Sequence, residues 1–410
     1  MIVRRAEKFI VRNTNENYSF LDDLCFKSKN LYNHANSVIR KEFFENQIIL
    51  KYNTIDKILK HDTEYPDYRQ LQAQSSQQTL RLLCRNWKAF ISAMKSYSKD
   101  KSKFKGRPKP PKYLDKVKGR FPVVFTNQQI KVNKNDNSFN ISSKIKFYLR
   151  PEVANSLLSV CEIRVVPRLN YIKVEFIYNK GIPDTMVSTN NLLGIDLGVN
   201  NLITTARINN SESIIIDGKG LKSINQYYNK KLAYYKGKAE KENKLETTKR
   251  IKQLHTKRNF KVENYLHRAS KLIVDYAVTK NIDTIVIGYN KDWKQEVSMG
   301  KSKNQNFVMI PFNTLVNMIT YKAEDKGIKV LLVEESYTSG TSFLDNETPT
   351  KENYNKTRRI KRGLFKSNTN KYINADVNSA HQILKKVSGD SITRDSVEGS
   401  VTNPIKYYIK

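Results

Sequence analysis

Two short acidic segments carry most of the chemistry in this chain. The run Leu192-Leu193-Gly194-Ile195-Asp196-Leu197-Gly198-Val199-Asn200-Asn201-Leu202 reads as an apolar strand bearing one aspartate, a tight Gly/Asn turn, and a second β-rich run from Leu202 to Ala206. A carboxylate inside such a run is costly unless something offsets it. In phosphodiester chemistry the usual offset is a divalent metal. Taken alone, Asp196 fits a metal ligand and an acidic cap equally well. The second segment, Asn374-Ala375-Asp376-Val377-Asn378-Ser379-Ala380, opens a terminal helix. Asp376 is therefore either a second ligand or an N-cap that serves only its helix. Hydrolysis of a phosphodiester calls for three or four carboxylates converging on two Mg²⁺ ions about 4 Å apart, one activating water and the other stabilising the leaving 3′-oxygen. Mg²⁺ takes hard oxygen ligands and keeps several waters, so few protein groups suffice.

The elements that must bring these aspartates together follow from the hydrophobic pattern. Strand-like runs lie near Leu192–Leu197, Leu202–Arg207 and Ser213–Asp217. A highly charged helical stretch from Leu221 to Lys280 is predicted to form two helices, with Leu266, Ala269, Ile273 and Ala277 as the final buried stripe. Thr284-Ile285-Val286-Ile287 is a short buried strand, Phe312 to Lys326 a helix, Val330–Val333 another strand, and Asp376 opens the last helix toward Lys386. Three strands in meander, then helix, strand, helix, strand, helix, is the element order of an RNase H-like domain. There the first strand, the Thr284 strand and the Val330 strand run parallel, and their carboxyl ends share the region where open α/β sheets put their sites.

The first half of the chain reads differently. A strand covers the first dozen residues. Helices follow, one with Leu24, Leu31, Ala35 and Val38 on a face and one with Leu80, Leu83, Trp87, Phe90 and Met94 stepping by three and four. The other face and approach of the second helix hold Gln70, Gln72, Gln74, Gln77, Gln78, Arg81 and Arg85. Such residues either read base edges and phosphates or form a merely solvated face. Lys101 to Lys112 is a basic, Pro-broken linker. Short β-like runs at Phe121–Phe125, Ile130–Val132, Lys144–Leu149 and Val160–Tyr178 then suggest a β module, expected as a barrel, with the helices inserted into it.

Composition narrows the partner. In 410 residues, 73 Lys+Arg against 39 Asp+Glu leave a formal charge of +34. That excess repels itself unless a polyanion binds, and nucleic acid is the first choice because each neutralised phosphate releases counterions. A membrane is not the expected partner: no apolar run approaches spanning length, and no basic interfacial helix with clear anchors is evident. The start has basic residues but no apolar region of a signal peptide. Cys25, Cys84 and Cys161 lie far apart and form no metal or disulfide pattern. The expectation is a cytoplasmic, nucleoid-associated protein, and the Lys, Asn, Ile and Tyr richness suggests a bacterial source with an AT-rich genome.

Gly194-Ile195-Asp196-Leu197-Gly198-Val199 and Asn374-Ala375-Asp376-Val377-Asn378-Ser379-Ala380 resemble the first and third RuvC motifs of the TnpB/OrfB family. These are transposon-encoded RNA-guided nucleases related to type V CRISPR effectors. Phe104-Lys105-Gly106-Arg107-Pro108 through Lys112-Tyr113, His267-Arg268-Ala269-Ser270 and Tyr337-Thr338-Ser339 extend the resemblance over nearly the whole chain. It implies an α+β multidomain protein: a wedge-like β-barrel (1–17 and 118–187) and a helical recognition insertion with its basic linker (18–117). A RuvC domain follows (188–335 and 373–390, with a helical insertion at 219–280), then a target-binding insertion (336–372) and a C-terminal tail (391–410). It also implies Mg²⁺ (or Mn²⁺), a guide RNA from the transposon end, double-stranded target DNA, and a short flanking motif, for which Gln74, Gln78 and Arg81 are candidate contacts.

The chain departs from that pattern twice. The strand Thr284-Ile285-Val286-Ile287-Gly288 has glycine where the family's second motif normally places glutamate. The segment Thr338-Ser339-Gly340-Thr341-Ser342-Phe343-Leu344-Asp345 lacks the usual zinc-binding cysteines, so no zinc is expected. Glu334-Glu335 ends the neighbouring strand, and family members lacking the usual glutamate place an acid there. Strand alternation lets only one of the pair serve. Glu335 is the expected third ligand, Asp292 a remoter one, and surface pairing with lysines the plain alternative. The function expected is an RNA-guided DNA endonuclease. The rivals are a nuclease-dead RNA-guided repressor, which Gly288 favours, and a transposase that joins strands itself.

Overall fold

A computed structural model of the chain describes residues 1–141, 145–185, 189–208, 212–243, 247–290, 308–361, 363–389 and 404–409. The chain divides into two compact units, Ile2–Gly181 and Ile182–Lys410, the second also taking Met1.

In the first unit, β1 (Ile2–Arg12) is followed by helices α1 (Tyr18–Asn46), α2 (Tyr52–His61) and α3 (Ala73–Lys99). Leu31, Ala35, Ile39, Leu80, Leu83 and Trp87 form their common core, and the Trp87 indole N–H donates to Asn36 Oδ1 at 3.0 Å. The Pro-broken linker is strapped along α1: Asn36 Nδ2 and an Arg40 guanidinium N–H both donate to the Pro111 carbonyl, and Asn33 exchanges two hydrogen bonds with the Leu114 backbone. Proline cannot supply its own N–H to a ladder, so side chains of the neighbouring helix hold the segment through its carbonyls.

The chain then makes β2 (Val123–Thr126), β3 (Ile130–Asn133), β4 (Ser138–Ile141), β5 (Ile145–Tyr148), a short helix α4 (Pro151–Ser156), β6 (Leu157–Pro167) and β7 (Tyr171–Gly181). The expected barrel is not closed among the described residues. The strands form two open antiparallel sheets, ordered β1-β7-β6-β2 and β3-β4-β5. A 3₁₀ turn at Asn127–Gln129 separates β2 from β3, and Phe139, stacked on Phe147 and tilted against Phe176, fills the core that the two sheets share.

The second unit is a mixed α/β sandwich. Strands β8 (Leu192–Leu197), β9 (Asn201–Arg207) and β10 (Ile214–Asp217) form the meander. Helices α5 (Lys219–Asn243) and α6 (Lys249–Thr279), strand β11 (Thr284–Gly288), helix α7 (Phe312–Glu324) and strand β12 (Lys329–Val333) follow. A hairpin of β13 (Leu364–Lys366) and β14 (Tyr372–Asn374) leads into helix α8 (Ala375–Ser388), and β15 (Ile405–Tyr407) comes last. The sheet order is β12-β11-β8-β9-β10-β15, with β8, β11 and β12 parallel. β15, which the sequence pattern did not reveal, adds to β10 in parallel.

Alternation along the strands decides which helix each residue meets. Leu193, Ile195, Ile285 and Ile287 face a core built with α6 and α7, while Leu192 and Val286 face α8. Gly194 and Gly288 belong to the α8 face, and both are there for closeness. A Cβ on Gly194 would stand 2.5 Å from the Ala380 carbonyl oxygen, and one on Gly288 would stand 2.5 Å from Ile383 Cδ1. The last helix is therefore keyed into two glycine notches on adjacent parallel strands.

Candidate active site

Asp196 shares the α8 face of β8 with Gly194, two residues on in the strand alternation. It keeps some exposed surface, but most of what surrounds its carboxyl is protein. Burial pushes that carboxyl well above the usual range, and the nearby charges of Asp376 and Glu335 push it further; Arg359 and the Leu197 N–H pull it back. The fold thus brings Asp376, at the start of α8, and Glu335, just past β12, within reach of the charge of Asp196 on β8.

Asp376 has no capping duty. Asn374 is the N-cap: its Oδ1 accepts from the N–H groups of Asp376 at 3.0 Å and Val377 at 3.2 Å. The Asp376 carboxylate instead accepts from Asn201 Nδ2 at 2.7 Å and from the Arg359 guanidinium at 2.9 Å.

Glu335 and Glu334 part as alternation requires. Glu335 is half-buried, and burial pushes its carboxyl up to about 7, with Lys386 drawing it the other way. Asn290 holds it twice, accepting from its backbone N–H at 3.1 Å and donating to its Oε1 at 3.2 Å. Glu334 is exposed, and its carboxylate accepts from the Ser336 hydroxyl. Where Gly288 would carry a Cβ, the Glu335 Cβ stands only 3.3 Å away. Asp292 lies outside the described residues.

Among the described residues, no group of three or more His, Cys, Asp or Glu side chains is gathered closely enough to hold a metal ion as the chain stands. Arg359 and Asn201 both engage Asp376. The donor chemistry is nonetheless that of a hard divalent cation, with three carboxylates and two amides. Asn201, Asn290 and Arg359 escaped sequence reasoning. Asn201 lies inside the first acidic segment and Asn290 two residues past the Thr284 strand, but a neutral amide has no pattern of its own. Arg359 was one cation in a basic loop.

The insertion is tied by a different hub. One Glu347 carboxylate oxygen accepts from the Ser342 N–H at 2.8 Å and an Arg358 guanidinium N–H at 2.5 Å, the other from Asn368 Nδ2 at 3.3 Å. The Glu347 carbonyl accepts from Gln382 of α8 at 3.1 Å.

In the first unit, Gln74, Gln78 and Arg81 share one face of α3. Gln74 is committed internally: it accepts from the Thr126 hydroxyl and donates to Gln128 Oε1 at 2.5 Å. Gln78 is half-buried, and exposed Arg81 lies over the Tyr52 ring at 4.4 Å.

The chain is similar to known proteins in both sequence and fold. The OrfB_IS605 family model, described as a probable transposase, matches residues 173–294, and the Cas12f1-like TNB domain model matches residues 312–383. A CRISPR-associated endodeoxyribonuclease Cas12f2 of Micrarchaeota archaeon (strain CG1_02_47_40) is 28% identical over 213 residues, covering 47% of this chain. The chain is a relative of the TnpB-like type V effectors. The alignment spans 36% of that curated relative's length. In fold, the chain resembles a Cas12f1–sgRNA–target DNA complex protein with a TM-score of 0.52 at 16% identity, over 90% of this chain and 82% of that one. A CRISPR-Cas12f ternary complex gives 0.39 at 16% identity, over 89% and 80%. The two family matches of this type V relative fall on its sheet with the α5–α6 hairpin and on its α7-to-α8 region. Among the described residues, no helix is long and apolar enough to cross a membrane.

Proposed function

We propose that this chain is an RNA-guided, Mg²⁺-dependent (or Mn²⁺-dependent) DNA endonuclease encoded by a transposon, cutting beside a short flanking motif through Asp196, Glu335 and Asp376. The observation that carries the reading is the 3.3 Å between the Glu335 Cβ and the position a Cβ on Gly288 would take. A glutamate just past the next strand has its Cβ beside the position from which the family's glutamate is missing. The Cas12f2 relative is an endodeoxyribonuclease, the Cas12f1 structural neighbour is in complex with sgRNA and target DNA, and the +34 charge fits both partners.

In this reading the three carboxylates would hold the metal, which supplies Lewis acidity and an activated water when bound. The chain's own residues do the rest. Asn290 fixes the Glu335 backbone and carboxylate together, Asn201 orients Asp376 from the start of β9, and Arg359 offsets the charge of Asp376. Base pairing with the guide reads the sequence, and the protein reads duplex shape and the flanking motif. We assign the wedge role to the two sheets of the first unit, and the motif contact to the α3 face at Gln78 and Arg81, with Gln74 supporting it from its bonds to Thr126 and Gln128.

Protein copurified with its RNA and given plasmid carrying the guide's target should linearise it with Mg²⁺ and leave it intact in EDTA. Guide-dependent binding without cleavage in any divalent cation would favour the second reading, a nuclease-dead repressor. Gly288 and the Arg359–Asp376 ion pair are the observations on its side.

A further inference from the structure

The α5–α6 hairpin has a site that the carboxylate chemistry leaves unused. Its two helices carry 15 Lys and Arg against four Asp and Glu, far more positive charge than solubility requires. Tyr228 OH with His255 Nδ1 at 2.7 Å, and Arg258 Nε donating to Asn225 Oδ1 at 2.9 Å, set the helices antiparallel. Beside these pairs the seam opens into a cavity of about 260 Å³ lined by Ile224, Tyr227, Tyr228, Leu254, Lys257 and Lys261, among others.

Two features separate this cavity from an ordinary helix seam. Tyr227 is 58% exposed at its rim, and Tyr234, seven residues along the same face, is 61% exposed. A solvated face has no use for two large aromatic rings. Lys257 and Lys261 are exposed one turn apart on the facing helix, and the Lys231 ammonium sits 5.9 Å from the Tyr227 ring centroid. Aromatic rings interleaved with cations are how proteins hold unpaired strands: the rings stack bases, the cations take phosphates.

We propose that this cavity binds a single-stranded segment of nucleic acid, one base stacking on Tyr227 and the adjoining phosphates held by Lys257 and Lys261. Charge complementarity names a polyanion, and the exposed rings name an unpaired one, since a duplex keeps its base faces stacked on each other. The site stands apart from the carboxylates and does not depend on their cutting anything.

The test uses full-length protein freed of RNA, with fluorescent oligouridylate, oligothymidylate and a duplex of equal length, titrated across a range of salt. Tyr227→Ala should weaken single-strand binding about tenfold, by loss of one stacked base, without changing the salt slope. Tyr227→Phe should bind as wild type. Lys257→Gln with Lys261→Gln should make the slope shallower by about 1.4, two phosphates' worth on a single strand. Loss on oligouridylate alone assigns the site to guide RNA, loss on oligothymidylate alone to an opened DNA strand, and loss on both to either. The proposal is overturned if Tyr227→Ala leaves both single strands unaffected or weakens the duplex equally, or if the lysine pair leaves the slope unchanged. Circular dichroism melting of each variant keeps misfolding out of the reading. Unchanged plasmid cleavage by Asp196→Ala would sink the nuclease assignment but leave this site standing.

Discussion

The carboxylate cluster and the insertion that follows β12 each lack a group that the family pattern supplies, and the chain meets the two losses differently. On β11 the missing group is a glutamate, and its place is approached by another glutamate, just past the neighbouring strand and held by Asn290. In the insertion the missing groups are cysteines, and what stands there is unrelated: Glu347 gathering Ser342, Arg358, Asn368 and Gln382 into one hydrogen-bonded hub. On the proposed reading, a site that must present negative charge to a cation accepts only another carboxylate. A loop that must merely be closed accepts any closure, including an ion pair whose partners are 14% and 15% exposed.

The contrast is sharpest in cleavage. Asp196→Ala and Asp376→Ala should each abolish cutting of guided plasmid, while gel-shift affinity for target DNA stays within about twofold, because binding rests on many phosphate contacts. Cutting near the wild-type rate by either variant would break the carboxylate side of the comparison. Glu335→Ala should also eliminate cleavage, whereas exposed Glu334→Ala should keep most of it. Full activity in Glu335→Ala would mean that the relocated glutamate does not serve.

Stability should move in opposite directions in the two regions. Without metal, Asp196→Asn relieves repulsion in the cluster and should raise the melting temperature. Glu347→Gln leaves Arg358 without its charge partner and should cost about 2–4 kcal/mol in urea unfolding. A lower melting temperature for Asp196→Asn would show the cluster to be structural after all. Metal analysis of the purified chain should find no stoichiometric zinc; one zinc per chain would replace the Glu347 hub as the clasp.

Acidity gives the smallest effect. The Glu335 carboxyl has its folded value raised to about 7 from an ordinary 4.5, so the metal-free folded state binds more protons than the unfolded one between those values. Stability contributed by the protonated form is fully present below about 4.5 and lost as pH rises through 7, by at most about 3 kcal/mol. Glu335→Gln should flatten that part of the curve, followed by chemical denaturation across the window.

How much of this was legible depended on whether a residue's role is periodic. β8, β11 and β12 announce themselves as apolar runs, and the alternation that separates Glu335 from Glu334 needs only counting. β15 is too short to carry a period, and its pairing comes from β10, far earlier in the chain. The barrel was an overreach of the same kind, since strand runs do not reveal where a 3₁₀ turn will separate one strand from the next. Gln74 read as a base reader because glutamine amides look alike on any exposed helix. Its amide is spent on Thr126 and Gln128, a pairing visible only once α3 meets the turn after β2. Arg359 had no signal within its basic loop, and only the return of the chain into α8 sets it against Asp376.

The notches at Gly194 and Gly288 have a consequence in time. Helix α8 fills them, and the bond that joins the two ends of the site, Asn201 to Asp376, spans 175 residues of chain. At ribosomal rates those residues take roughly 10–35 s to appear. In the later part of that interval, once residue 288 is made, the emerging polypeptide has its first aspartate, both glycine notches unfilled and the whole sequence of the basic hairpin. If the proposed strand site and the proposed cutting site both hold, the order of synthesis makes loading precede competence.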